Sequence, residues 1–532
     1  MLKTIQLDPY SGTPLYRQLC AHLRAAIESG ALPHGTRLPA TRELAAQLGV
    51  NRATISAAYE NLESEGLLNG HVGRGTFVIC PGAAAPPTAS SELASNDLSL
   101  AGTQPDSTIR FEVSRPAELL FPLDEFRATV DEVIHSDEAS AILQLGSTLG
   151  YGPLRRYLLE EARAAGDAGP DDDILITNGC QQAFDLIQRV LASNGETILL
   201  EDPVYAGLRN VFQRGGARVI GLPVGKDGLD LGALARAIET YTPRLMVVTS
   251  TFQNPTGATM PAQARRELLR LARAAGAVVI ENDLYADLRY SGVAVPTIKK
   301  LSQVAGSPYA ASSGITSGDS GMVSGVRSAG DHATEAGSAH AFETIGQPPD
   351  TILLRSFSKI AFPGLRVGWA IGPKHFIARL AEAKQACDLH TDQLSQAVLL
   401  RFAQSGRLAA HRAKSLAAGA ERLRTTLAAC AEFLPEGTTV TRPEGGMNVW
   451  VRLPEPLDAG ELASRAEREG VSYLPGKYFA VSRVESNALR LSFAGLPPDQ
   501  IRQGLRILGR IFSAELARLR SKHRGEAASA LV

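Results

Sequence analysis

The sequence predicts a multidomain protein: a mainly α N-terminal head followed by a large α/β unit on a mostly parallel sheet. Three observations lead there. Between residues 39 and 59, apolar residues recur at helical spacing on both sides of a glycine turn. Beyond about residue 110, short apolar runs such as Ile174–Ile176, Thr197–Leu200, Leu245–Val248 and Ala277–Ile280 alternate with helical stretches, the pattern of buried strands joined by crossover helices. Between the two regions runs Pro81-Gly-Ala-Ala-Ala-Pro-Pro-Thr-Ala-Ser-Ser91, which has no apolar periodicity and is a linker.

These patterns divide the 532 residues into a head over 1–79, a flexible linker over 80–107, and a main unit over 108–515. The main unit has a large part, about 140–385, and a small part, about 386–515. A Gly-, Ser- and Ala-rich insertion over about 302–347 lacks the large apolar groups that offset ordering entropy, and is expected to be a disordered surface segment. A flexible loop and a partner-binding segment both remain open for it. The tail 516–532 is expected not to fold.

Composition narrows the function. A hydrophobic fraction of 44%, a charged fraction of 20% and a net charge of −1 give no overall field to hold a polyanion, so any nucleic-acid contact must be local. The five cysteines form no C-x-x-C pair and no cluster with His, which argues against a disulfide framework and a metal site. With no apolar signal core at the N-terminus and no run of 18 uncharged apolar residues, the expected location is cytoplasmic, with no membrane contact. Only 10 lysines stand against 44 arginines, which draws attention to each lysine retained.

In Pro39–Tyr59, two helices flank a tight turn at Gly49, and Asn51 is a good N-cap for the second. Leu44, Ala45, Leu48, Ile55, Tyr59 and Leu62 form the inner face. Arg52, Thr54 and Ser56 are left near the exposed N-terminal end of the second helix, where a recognition helix meets base edges. Gly66–Val78 is a glycine-turned hairpin with His71 and Arg74 at its tip. A three-helix protein-interaction module is the alternative, and residues 1–80 carry only seven Lys/Arg against six Asp/Glu.

The order of the whole string, however, resembles the GntR-type winged helix-turn-helix: Tyr16-Arg-Gln-Leu, Gly35-Thr-Arg-Leu-Pro, Thr41-Arg-Glu-Leu, Leu62-Glu-Ser-Glu-Gly-Leu-Leu, then Gly73-Arg-Gly-Thr-Phe-Val. The resemblance implies binding of double-stranded DNA, with Arg37, Arg42, Arg52, Thr54, His71 and Arg74 at contact positions.

Further along, Ser356-Phe-Ser-Lys-Ile-Ala-Phe-Pro-Gly-Leu-Arg-Val-Gly-Trp369 follows the apolar strand Thr351–Leu354. A lysine beside two hydroxyls, with an arginine seven residues on, suits pyridoxal phosphate. The amine forms an imine with the aldehyde while hydroxyls and a guanidinium hold the phosphate. A solvent-facing lysine on a loop is the bland alternative. Three more segments each meet a different requirement of the same cofactor, although taken singly they read equally as a generic strand–helix turn, a core tyrosine and a plain turn. Thr177-Asn-Gly-Cys-Gln-Gln-Ala183 places the amides of Gly179, Cys180 and Gln181 at a helix N-terminus suited to the phosphate. Glu201-Asp-Pro-Val-Tyr205 ends a strand with an aromatic able to stack on the ring. Asn254-Pro-Thr-Gly257 closes the Leu245–Ser250 strand with an amide for the phenolic oxygen.

Over roughly residues 140–510 these segments resemble fold-type I aminotransferases of class I/II, which implies an α/β pyridoxal phosphate-dependent transferase domain with a smaller C-terminal α/β subdomain. With the head, the chain resembles the MocR subfamily of GntR-type regulators. That resemblance implies Lys359 as the Schiff-base lysine, Ser356 and Arg366 on the phosphate, Tyr205 on the ring, and Asn254 and Tyr285 on its oxygen. Arg490, in Ala488-Leu-Arg-Leu-Ser-Phe493, takes the ligand carboxylate, with a plain strand-edge charge as the alternative. Cys180 stands where the family often has Ser.

One departure bears on activity. Where the family has Glu-Asp-Asp-x-Tyr, this chain has Glu281-Asn282-Asp283-Leu284-Tyr285. Ungapped register puts Asn282 beside the ring nitrogen, and a neutral amide supplies no counter-charge to keep that nitrogen protonated. Asp283 takes its place only if the strand end is irregular, because neighbouring residues point to opposite faces. Two functions follow: a homodimeric regulator that senses pyridoxal phosphate or a small amino compound through Lys359, or a working aminotransferase with a DNA-binding head. A scaffold that binds DNA without cofactor fits poorly with Lys359, Arg366, Asn254 and Tyr285 all retained.

Overall fold

The computed structural model describes Leu7, residues 15–28, Leu32, Thr36 and residues 38–64, 67–71, 75–78, 108–192, 194–304 and 349–529. The linker over 80–107, all but the first three residues of the 302–347 insertion, and Arg37 and Arg74 lie outside the described residues. The chain divides into two units, residues 1–104 and residues 105–532.

In the first unit, α1 (Leu15–Glu28), α2 (Thr41–Leu48) and α3 (Arg52–Ser64) precede the hairpin of β1 (Leu68–His71) and β2 (Gly75–Val78). Gly49 ends α2 at φ +65°, a left-handed conformation that glycine adopts without the steric penalty of a Cβ. Leu44, Ala45, Ile55, Tyr59 and Leu62 are buried together with Leu19 and Leu23 of α1. Tyr59 reaches Pro39 O at 3.0 Å, which locks α3 to the start of α2. The hairpin pairs antiparallel, His71 opposite Gly75, and Leu38 N–H donates to Thr76 O, so the α2 lead-in and the hairpin share one small sheet edge.

In the second unit, β3 (Ile109–Arg110) comes first. An eight-stranded sheet follows, made of β4 (Asp172–Asn178), β5 (Thr197–Asp202), β6 (Arg218–Gly225), β7 (Gly228–Leu229), β8 (Leu245–Val248), β9 (Val278–Asn282), β10 (Thr351–Ser356) and β11 (Val367–Pro373). Its order is β4-β11-β10-β9-β8-β5-β6-β7. The run from β10 through β6 is parallel, while β11 is antiparallel to both its neighbours and β7 is an antiparallel edge. Helices cover both faces. Leu186, Leu208 and Phe376 pack on one side and Leu234, Leu268 and Ala272 on the other. Double coverage is why these strands are continuous apolar runs rather than alternating ones.

A second, four-stranded antiparallel sheet, ordered β12 (Thr439–Val440), β13 (Asn448–Arg452), β16 (Ala488–Ser492), β15 (Leu474–Pro475), forms the smaller part. The two-residue β14 (Val471–Ser472) pairs in parallel with β3 and so stitches the start of the unit to this part.

The expectation of an unfolded tail from residue 516 is corrected. The last helix runs from Pro498 to Ser529. Its stripe Ile501, Leu505, Leu508, Phe512 and Leu516 is buried, so the helix is already packed when it enters the tail, and each further residue adds a backbone hydrogen bond without a new nucleation cost.

Candidate functional site

The C-terminal ends of β4, β9 and β10 lie at the same edge of the large sheet. The polar groups there fall into two clusters.

The first is a cup of donors whose chemistry suits a dianion. Gly179 opens a helix (Gly179–Leu191) directly after β4, so the unpaired amides of its first turn face outward with the positive end of the helix dipole. Asn178 N–H donates to Gln182 Oε1 at 2.8 Å, which caps that turn. Opposite, Ser356 Oγ lies 2.8 Å from Ser358 Oγ and accepts Ser358 N–H, and Arg366 Nη1 donates to Ser358 Oγ at 3.5 Å. Two glycines permit the approach. A Cβ on Gly179, which sits at φ +72°, would stand 2.4 Å from Arg366 Nη2, and one on Gly368 would stand 2.9 Å from the Cα of Gly179. Amides, two hydroxyls and a guanidinium gathered in this way suit a phosphate.

The second cluster is a chain of side chains from distant parts of the sequence. Lys359 Nζ lies 5.6 Å from the centre of the Tyr285 ring. The Tyr285 hydroxyl accepts from Asn254 Nδ2 at 3.4 Å, and Asn254 Oδ1 accepts from Arg490 Nη1 at 3.1 Å. Arg490 is buried, its guanidinium 5.0 Å over the Phe479 ring. Lys359, Tyr285, Asn254 and Arg490 are thus brought together as expected from the sequence. The strand-edge alternative for Arg490 does not hold, because β16 is an interior strand and the residue is buried.

Asn282 and Asp283 separate cleanly. Asn282 shares a face with Val278 and Ile280, which pack with Leu354 against the Gly179–Leu191 helix, the same face from which Ser356 projects. Its Nδ2 donates to Thr249 Oγ1 at 3.1 Å, and its buried Oδ1 has no hydrogen-bond partner among the described residues. Asp283 lies on the opposite face, where Arg355 donates to its Oδ2 from Nε at 3.1 Å and Nη2 at 2.8 Å. Asp283 is therefore corrected from a cofactor contact to an ion pair beneath the site. β9 is regular up to Asn282, so alternation sends the next side chain the other way.

Cys180 turns its thiol inward to Arg355 O at 3.3 Å, and burial pushes that thiol up to about 12, so only its amide faces the cup. Tyr205, 40% exposed, caps the helix Ala206–Arg214, whose start is tied to the cup by Gln181 Nε2 donating to Gly207 O at 3.1 Å. Deeper, burial pushes the Glu201 carboxyl up to about 8, against donation from Thr249 N–H.

Sequence reasoning missed Thr249 and above all the segment around Glu112 and Ser114. Ser114 O accepts from Lys359 Nζ at 3.0 Å, and Glu112 O accepts from Arg490 Nη2. A backbone carbonyl 245 residues upstream carries no sequence signal.

In the head, Arg52 is exposed at the first turn of α3, its Nε donating to Thr41 Oγ1 at 3.3 Å, and Thr54 is half-buried two residues on. Arg42 lies on α2 and His71 at the end of β1. Among the described residues no group of three His, Cys, Asp or Glu is placed to hold a metal ion, and no helix is long and apolar enough to cross a membrane.

Comparison with known proteins agrees with this geometry. Residues 121–508 match the family described as aminotransferase class I and II, and residues 15–78 match bacterial regulatory proteins of the gntR family. The chain is 32% identical to a 2-aminoadipate transaminase of Thermus thermophilus over 78% of its own length and 92% of that protein's. It is 28% identical to the probable rhizopine catabolism regulatory protein MocR of Rhizobium meliloti over 96% of both chains. A multiple substrate aminotransferase from Thermococcus profundus superposes with a TM-score of 0.68 at 31% identity, covering 80% of this chain and 95% of that one. LysN, an alpha-aminoadipate aminotransferase of Thermus thermophilus solved with N-(5'-phosphopyridoxyl)-L-leucine, superposes with a TM-score of 0.65 at 32% identity, covering 77% and 94%.

Fold and site together define an aminotransferase-like unit, with pyridoxal phosphate as its cofactor, behind a gntR-type helix-turn-helix. The chain belongs to the aminotransferase class I and II family and, through this pairing, to the MocR subfamily of DNA-binding transcription regulators.

Proposed function

We propose that this regulator reads the state of the site around Lys359 and passes it to its DNA-binding head. The carrying observation is the convergence of half-buried Lys359 with buried Tyr285, Asn254 and Arg490 in one chain of contacts. When bound, pyridoxal phosphate supplies an aldehyde that condenses with an amine, water leaving, and a ring that withdraws electrons. Gly179, Cys180 and Gln181 would offer amides to its phosphate, and Ser356, Ser358 and Arg366 hydroxyls and a bidentate cation. Asn254 and Tyr285 would hold the ring oxygen, Tyr205 would cover the ring at the mouth, and Asn282 would meet the ring nitrogen with a neutral amide. Arg490, already buried, fixed by Asn254 and stacked on Phe479, suits the carboxylate of a small amino acid.

A second copy of the chain is part of this reading. Leu143, Leu145 and Leu389 are exposed large apolar side chains on segments joined by Gln393, which donates to Ile142 O and Gln144 O. Two heads on one dimer would multiply the weak affinity of each nearly neutral head. Arg52 and Thr54 would meet bases, and Arg37, Arg42, His71 and Arg74 are the further DNA contacts that the gntR-type resemblance implies.

The working-aminotransferase reading is weaker, because Asn282 removes the counter-charge that keeps the ring nitrogen protonated, and Asp283 faces away. The test is the visible absorbance of purified protein with pyridoxal phosphate. The wild type is expected to show the band of lysine-bound cofactor and Lys359→Ala to lack it, and one amine or amino acid from a panel is expected to shift both the band and the affinity for DNA. A wild type with no band would overturn the reading.

A further inference from the structure

Residues 108–117 run directly on from the linker, and their contacts are divided between the two parts of the main unit. The root is stitched to the small part. Ile109 N–H donates to Gly470 O, Phe111 N–H to Ser472 O, and Phe111 O accepts from Ser492 N–H, with the Phe111 ring fully buried. Glu112 extends this attachment, because its carboxylate accepts from Ser472 Oγ and its carbonyl from Arg490. Two residues on, attachment changes sides: Ser114 O accepts from Lys359 Nζ, on the loop after β10 of the large sheet. The Ser114 hydroxyl is buried with no partner among the described residues, so the carbonyl's contact with Lys359 is the polar anchor of this residue.

We infer that residues 109–116 form a strap whose far end is pinned by Lys359 only while that lysine is free, so that cofactor loading releases the strap and, through its root, changes what the linker transmits to the head. The inference rests on the reading of Lys359 as the cofactor lysine. Lys359 Nζ cannot both donate to Ser114 O as an ammonium and be held by the cofactor. The two claims compete, which gives the loaded and unloaded arrangements different free energies, as any coupling between sites requires. Arg490 adds a second stage. Its Nη2 donates to Glu112 O, two residues from Ser114, so a carboxylate that draws the guanidinium away loosens the same strap. Cofactor and amino-acid ligand thus act on one eight-residue strap that follows the linker in sequence.

Full-length wild type, Lys359→Met and Lys359→Arg separate this idea from the cofactor reading, because neither variant can bind the cofactor covalently. The methionine keeps the bulk of the lysine stem and loses the donor, whereas the arginine keeps a cation able to reach Ser114 O. Hydrogen exchange of the Ile109 and Phe111 amides, without cofactor, is expected to be about tenfold faster in Lys359→Met than in wild type, and unchanged in Lys359→Arg. Adding pyridoxal phosphate should raise exchange in wild type alone. On a DNA duplex selected in vitro against unloaded wild type, Lys359→Met should bind as loaded wild type does and Lys359→Arg as unloaded wild type does. Equal exchange in the two variants, or unchanged exchange in wild type that shows the visible band, overturns the strap. Different exchange with equal DNA affinity overturns its link to the head. Should Lys359→Met fail to fold, Lys359→Ala replaces it. A wild type without the band fails the cofactor reading, while the Met and Arg pair still decides whether Lys359 pins the strap.

Discussion

The two ends of the site are built in opposite ways. The phosphate cup is made from two short stretches, residues 177–182 and 356–368, and much of its chemistry is backbone: the first-turn amides of one helix, two glycines that allow close approach, and an arginine held at φ +55°. The ring and carboxylate end includes Asn282 and joins the side chains of residues 254, 285, 359 and 490 to one another and to the backbone carbonyls of 112 and 114 by single contacts. A cup built from local backbone tolerates side-chain drift such as Cys180, whereas a chain of single contacts changes with each link. The departure at Asn282 and the attachment of the strap both fall at the second end, where a regulator has most to adjust.

The comparison breaks first at the cup. Gly179→Ala puts a Cβ 2.4 Å from Arg366 Nη2 on a backbone at φ +72°, and is expected to weaken cofactor uptake about a hundredfold, read from the visible band against cofactor concentration. Asn282→Asp probes the other end. It restores a counter-charge on the face that carries Ser356 and is expected to raise transamination with a 2-oxo acid by about tenfold or more, leaving the cofactor affinity of the cup little changed. No gain would place the control of ring protonation elsewhere.

Arg490→Lys keeps the charge and loses the planar fork. Affinity for a carboxylate-bearing effector should fall about tenfold while the band without effector is unaltered, as measured by titrating the spectral shift. The smallest effect lies beneath both ends. Burial raises the Glu201 carboxyl to about 8, so the folded state holds a proton there that the unfolded chain releases near the ordinary glutamate value. The stability this proton confers is complete below that ordinary value and is lost as pH rises through about 8. Glu201→Gln should therefore match wild type in Tm at pH 5 and exceed it by a few degrees near pH 8. Parallel melting curves across that range would show the carboxyl ionised in the fold.

Legibility in the sequence followed the same division. The strands Ile174–Ile176, Thr197–Leu200 and Leu245–Val248 were readable because a strand covered on both faces must be continuously apolar, and each lies inside an observed strand. The inner face of the head was readable from 3.6-residue spacing, and Leu44, Ile55, Tyr59 and Leu62 are buried together. Gly179, Ser356 and Arg366 could be found because a cup made of backbone demands particular residues at fixed offsets. The tail was misread because charged residues such as Arg518 and Arg520 hid an apolar stripe that ends at Leu516, already inside a packed helix.

By itself, then, the sequence determined the two kinds of unit, the strands named above, the grouping of a lysine with two hydroxyls and an arginine, and the amide standing where the family it resembles has a carboxylate. All of these rest on local constraints: periodicity, turn geometry, and the residue types a reactive aldehyde and a phosphate require. Only the tertiary structure decided that Asp283 pairs with Arg355 on the far face, that Arg490 is an interior residue held by Asn254, and that Ser114 and Glu112 lie against Lys359 and Arg490. Those contacts join residues as many as 378 positions apart. Two of them end on backbone carbonyls, which every residue possesses, and so no side-chain pattern could announce them.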